Sequence, residues 1–149
     1  MAQFNVDDAI THAQSHAEGR SQGYCARYTA NAIDAGLSEK SRSERPRRAY
    51  HFSKYLEENG FVAIPAPDSF QKGDVVIIDK FDVWAGPHRD PKKAFAPIDN
   101  PSGHMAIYDG EQWVSDFKQK DLMPGPDYRF ARPSFTIYRH SAVISNSQK

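Results

Sequence analysis

Cysteine is almost missing from this chain: one residue, Cys25, occurs among 149. That excludes an intrachain disulfide framework and any zinc site built from several cysteines. Charge of one sign is also lacking, since 19 lysines and arginines face 19 aspartates and glutamates. Without a basic excess nothing calls for nucleic acid, and none is expected as a partner. No run of about 18 apolar residues occurs, so no membrane insertion is expected. The start, Met1 to Asp8, lacks the basic-then-apolar pattern of a secretory signal. The chain is therefore expected to be made in the cytoplasm, with something else carrying it if it works outside. Repeats and linker-like stretches are absent too, and the length suits one domain over residues 1–149.

What is present falls into two halves. Asn5 reads as a helix cap ahead of Asp7 and Asp8, with Val6, Ala9, Ile10, Ala13 and Ala17 at helical spacing. A second helix is expected from about Tyr24 to Ala35, with Gly36 as its terminator. The stretch from Ser38 to Arg48 carries Arg42, Arg45, Arg47 and Arg48 and reads as a solvated loop. A third helix is expected from Ala49 to Asn59, then a short strand at Phe61–Ile64. Val75–Ile78 is a continuous apolar run of the kind found in buried strands. Residues 79–102 hold four prolines with Trp84 and Phe95, show no period, and are expected to form a folded rim. His104–Tyr108 and Gln112–Phe117 should pair across a tight turn at Asp109-Gly110. Phe135–Arg139 is the last expected strand. Helices first and an antiparallel sheet after them make the class α+β.

The lone cysteine sits where the second helix opens, in Ser21-Gln22-Gly23-Tyr24-Cys25-Ala26. Unpaired N–H groups at a helix start favour thiolate, the reactive form. Far downstream, Gly103-His104-Met105-Ala106-Ile107-Tyr108 puts a histidine at the head of a strand. A thiol and an imidazole so placed have the division of labour of a cysteine hydrolase, one attacking and the other moving the proton. His12 and His16 lie one helical turn apart but lack a third metal ligand, and His88 in the proline-rich stretch is the rival imidazole. The Cys25 N–H is expected in an oxyanion hole, with a second donor near Gln22 or Tyr24. Trp84 and Phe95 are candidates to line a groove, whereas Trp113 reads better as core. Lys118 and Gln119 are candidates to meet substrate carboxylates.

Taken in order, Ser21-Gln22-Gly23-Tyr24-Cys25-Ala26, Gly73-Asp74-Val75-Val76-Ile77-Ile78, Gly103-His104-Met105-Ala106-Ile107-Tyr108-Asp109-Gly110 and Trp113-Val114-Ser115-Asp116-Phe117 resemble the core of the NlpC-type and CHAP papain-like amidases. The likeness spans residues 9–140 and is greatest to the peptidoglycan amidase effectors of bacterial type VI secretion, with phage CHAP lysins as near alternatives. It implies a papain-like fold, Cys25 as nucleophile, His104 as general base and Asp116, from the strand after the histidine, orienting the imidazole. It further implies amide cleavage in cell-wall stem peptides or cross-links, no metal or organic cofactor, action in the periplasm of a target cell, and a cognate immunity protein. Acyl transfer or deamidation on a protein target is the alternative chemistry for the same thiol and imidazole.

Overall fold

The computed structural model describes residues 3–19, 23–39, 41, 43–65, 67–84 and 97–147. Helix α1 (Val6–His16) begins as the sequence suggests, with the Asn5 side chain accepting the Asp8 N–H at 2.9 Å. Its Ala9, Ile10 and Ala13 are buried, and it packs along α2 (Cys25–Gly36). Gly36 is the last residue of α2, and its role differs from the expected terminator. A Cβ there would lie 2.7 Å from both the Asn5 carbonyl and the Phe4 ring. It is glycine because two chain segments cross at that point, which also lets Asn5 N–H donate to Gly36 O at 2.6 Å.

The expected third helix divides into a 3-10 turn at Ala49–His51 and α3 (Ser53–Glu58). Strands β1 (Phe61–Ile64), β2 (Val75–Ile78), β5 (His104–Tyr108), β6 (Trp113–Val114) and β7 (Phe135–His140) form one antiparallel sheet in the order β1-β7-β2-β5-β6. The α+β class is as read from the sequence. The irregular stretch after β2 contains a second ladder, β3 (Phe81–Trp84) against β4 (Pro97–Asn100). Helices α4 (Pro126–Ala131) and α5 (Ser141–Ser147) complete the described elements.

Both faces of the sheet are covered, which explains the unbroken apolar run at Val75–Ile78. Val75 and Ile77, with Met105 and Ile107, face the helices and pack with Phe4, Ile33, Phe52 and Leu56. Val76 and Ile78 point the other way, toward Ala106, Trp113 and Ile137, with Leu122, Met123 and Tyr128 over them. Trp113 is core, as expected. Asp74, fully buried at the head of β2, takes a two-pronged bond from Arg139 of β7 at 2.8 and 2.9 Å. Removing one partner of such a buried pair costs about 3–5 kcal/mol, because the other charge is stranded. Tying β2 to β7 in this way fixes the strand against which β5 lies.

The Asp109-Gly110 turn is wider than the tight hairpin expected. Tyr108 pairs with Trp113, so residues 109–112 form the connection. The Asp109 carboxylate accepts the N–H groups of Glu111 and Gln112, each at 2.8 Å. The partner strand is also shorter than expected. Its ladder ends at Val114, after which Ser115 N–H bonds to Phe117 O and Gln119 N–H returns to Trp113 O.

Candidate active site

Cys25 is the first residue of α2, following Tyr24 as the N-cap. The turn needs Gly23, whose φ of +78° lies in the left-handed region that side chains avoid. His104 heads β5 directly opposite Ile78 of β2. Its own glycine, Gly103, has φ +70°, and a Cβ there would come within 2.4 Å of the Ile78 carbonyl. Each candidate thus follows a backbone position that only glycine fills easily. The loop ahead of His104 is further fixed by Asn100, whose Oδ1 accepts the N–H groups of Ser102 and Gly103 at 2.9 and 3.0 Å. The Asn100 amide in turn bonds the Tyr128 hydroxyl, and the Tyr128 ring meets His104 edge-on at 5.7 Å.

The packing of α2 on β5 brings the two candidates together. The main chain of Met105, the residue after His104, lies close enough to Cys25 to act on its thiol, lowering the thiol pKa. Among the described residues no hydrogen bond joins thiol and imidazole directly.

The bond that orients the imidazole comes from an unexpected residue. His104 Nε2 lies 2.6 Å from Gln119 Oε1, and both side chains are buried. Gln119 donates its amide N–H groups to the carbonyls of Asp121 and Leu122, at 3.0 and 3.2 Å. That fixes Oε1 toward the ring. An acceptor at Nε2 means that this nitrogen carries the proton of the neutral ring, leaving the lone pair on Nδ1. Gln119 was expected to meet substrate, and its exposure of 1% rules that out in this conformation.

Asp116, expected at the imidazole, is fully buried and bonded elsewhere. Its Oδ2 accepts the Tyr24 N–H at 3.1 Å and its Oδ1 the Ser115 hydroxyl at 3.2 Å. Its main-chain carbonyl accepts the Glu18 N–H at 2.7 Å. The carboxylate reaches His104 only through space, raising the ring's tendency to hold a proton. The strand reading fails here because the chain doubles back after Val114. Alternation therefore no longer predicts which residue faces the histidine, and Gln119 fills the position. A buried glutamine carries no sequence signal of that kind.

Protonation follows from burial. Burial pushes the Cys25 thiol up to about 11, helped by the Asp116 charge and opposed by main-chain N–H groups at Met105, Ala26 and Cys25 itself. The expectation of a resting thiolate is therefore corrected: the helix start is outweighed by desolvation. Burial also lowers the pKa of His104, against the Gln119 bond and the Asp116 charge. At neutral pH the pair rests as thiol and neutral imidazole, a state in which the histidine can accept a proton.

The remaining candidates are dispersed. Tyr24 cannot offer its N–H as a second oxyanion donor while Asp116 holds it, but its half-exposed ring lies at the cleft under the Arg27 guanidinium, 4.8 Å from the ring centre. Gln22, His88 and Phe95 lie outside the described residues. Trp84 ends β3, paired with Pro97, and its side chain is outside what is described. His12 and His16 stack ring on ring at 3.9 Å. Among the described residues no group of three or more His, Cys, Asp or Glu could hold a metal ion, and no helix is long and apolar enough to cross a membrane.

Cys25 lines a cleft of about 440 Å³. Gly23, Tyr24, Cys25 and Ala26 form one part of its lining, and the loop containing Arg45, Pro46 and Arg47 another. The arginine-rich stretch read as a solvated loop therefore contributes to the cleft.

No family model matches this chain, and no curated protein matches it. Solved structures do, among them two forms of one complex. One, the type VI native effector–immunity complex Tae3–Tai3 from Ralstonia pickettii, contains a chain 36% identical, with a TM-score of 0.72, covering 92% of this chain and 99% of that one. The other, the selenomethionine form of the same complex, gives 37% identity and a TM-score of 0.67 over 88% of this chain and 98% of that one.

Proposed function

This chain belongs to the Tae3 family of type VI effectors, and from that premise we propose that it is an antibacterial peptidoglycan amidase of the papain-like NlpC/CHAP kind. In this reading residues 1–149 form one catalytic domain, delivered by type VI secretion to the periplasm of a target cell. It cleaves amide bonds of stem peptides or cross-links there and is held in check by a cognate immunity protein. The single observation that carries the chemistry is the cluster at the start of α2 and β5: Cys25 against the Met105 backbone, with His104 fixed by Gln119.

The mechanism follows from the resting protonation. As substrate enters, Nδ1 of His104 takes the Cys25 proton while the sulfur attacks the amide carbonyl carbon. In this reading the main-chain N–H groups of Cys25 and Ala26, which act to lower the thiol pKa, bond the oxyanion that forms beside the sulfur. The tetrahedral species collapses, the C–N bond breaks, and the imidazolium returns its proton to the leaving amine. A thioester remains. Water attacks it, His104 again takes the proton, and the carboxylic acid leaves as the thiol is restored. Gln119 holds the ring tautomer throughout. Asp116 favours the imidazolium through space and fixes Tyr24 ahead of the nucleophile. No cofactor takes part in these steps.

Mass spectrometry of muropeptides from purified sacculi tests the proposal. Wild type should release cleaved stem peptides with new amine termini, and Cys25→Ala should release none while keeping its fold. Retained cleavage by that variant would refute the assignment of the nucleophile.

A further inference from the structure

The arginine loop beside the thiol is built to present one side chain. At one end Arg45 is bonded to α2, donating to Asn31 at 2.8 Å and to Asp34 at 2.6 Å. At the other end Arg48 donates to the Pro101 carbonyl at 2.9 Å and to the Ser102 hydroxyl at 3.3 Å. Tyr50 N–H adds a bond to Ser102 O at 3.1 Å. Between these anchors stand Pro46, which restricts the backbone, and Arg47. Arg47 is exposed in the cleft and has no hydrogen bond or ion pair among the described residues.

A second cation joins it. Arg27 lines the same cleft from the first turn of α2, exposed, with its guanidinium over the Tyr24 ring. Arg45 is neutralised by Asp34, whereas Arg27 and Arg47 bring positive charge that no acidic residue in the described lining offsets. The chain as a whole is charge-balanced, so this excess is local. Guanidinium groups match carboxylates in shape and can bond them through two parallel N–H groups. Lys118 and Gln119, the residues expected to meet substrate carboxylates, do not line this cleft, and Gln119 is buried at His104.

We propose that Arg27 and Arg47 form the carboxylate-binding subsite of the Cys25 cleft and select peptides carrying a free carboxylate close to the scissile amide. The proposal rests on the amidase reading for its substrate. The subsite itself rests on the cleft. Arg45 and Arg48 act only as anchors of the loop.

Binding and cleavage separate the two ideas. Calorimetry would use Cys25→Ala with a stem peptide bearing free carboxylates, and the same peptide with every carboxylate converted to carboxamide. The acid peptide should bind about tenfold or more tightly, the scale of one charge-assisted pair. Adding Arg27→Gln or Arg47→Gln should each weaken the acid peptide alone, and the double change should remove the preference. Unchanged melting temperatures would show that these exposed substitutions leave the fold intact. Equal binding of acid and amide overturns the subsite, as does failure to bind the acid peptide at millimolar concentration, or a preference that survives the double change. Cleavage by wild type is read separately. Acid-selective binding without cleavage of either peptide would strike the amidase reading and leave the subsite standing. Equal kcat/KM on the two peptides would do the reverse.

Discussion

At the Ile78 end of the sheet, His104 gives Nε2 to Gln119 and keeps Nδ1 unbonded among the described residues. At the opposite end His140, the last residue of β7, accepts the Ala142 N–H on Nδ1 at 3.1 Å. Its Nε2 is buried, with the Asn59 main chain acting on the ring, and the ring stacks on Phe4 and meets Phe61 edge-on, both at 5.1 Å. Burial lowers the pKa of both rings. What separates them is the lone pair. One ring has it available for a proton, and the other has committed it to the backbone and serves as an aromatic side chain. A buried histidine with a lowered pKa is thus not by itself a candidate base. The bonding of its second nitrogen decides.

The largest expected effect breaks the pair apart. His104→Ala should reduce sacculus digestion per folded molecule about a thousandfold, the scale of a lost general base, beyond whatever stability the buried large-to-small change costs. His140→Ala should cost stability alone: about 3 kcal/mol, as for other large-to-small core changes, with digestion per folded molecule retained. Equal loss of activity in the folded His140 variant would end the distinction drawn here.

Gln119→Leu sharpens it. Leaving the His104 N–H without its acceptor should lower kcat about ten- to a hundredfold, from about 1–3 kcal/mol of unmet hydrogen bonding. Because the Gln119 bond raises the pKa of His104, its loss should also move the acid limb of the pH–rate profile to lower pH. A limb moving upward would contradict the bonding described. Asp116→Asn retains an acceptor for the Tyr24 N–H but removes the charge that pushes the thiol pKa up. Cys25 should then react severalfold faster with iodoacetamide at neutral pH.

The smallest effect concerns acid stability. Both histidines have folded-state pKa values below the ordinary 6.5, so the unfolded chain binds their protons more readily. Their neutral forms support the fold fully above pH 6.5, and that support is lost as pH falls below it toward the folded-state values. The urea midpoint should therefore drop between pH 7 and 5. His140→Phe should flatten part of that drop while keeping the aromatic contacts.

The sheet was readable where one local rule governed each residue. Val75–Ile78 read as a buried strand because its apolar run is unbroken, and it is covered on both faces. The Asn5 cap was readable for the same reason. At the candidate site, Cys25 lies at a helix start and His104 at a strand start as read from the sequence, but the residue beside the imidazole is Gln119 rather than Asp116. The chain reverses after Val114, so the neighbour of the imidazole is set by a bend rather than by period-2 alternation. The arginine loop is irregular and largely exposed, as read, but composition reports only that a segment is polar, not that it also completes the wall of a cleft. Helices α4 and α5 were missed: α4 is short, with none of its residues buried, and so lacks the apolar stripe that marks a helix.

Asp116 accepts the Glu18 N–H with its main chain and the Tyr24 N–H with its side chain. A single residue thus ties the end of α1 and the start of α2 to one point beside the sheet. Cys25 thereby inherits its position from the sheet side of the molecule as well as from its own helix.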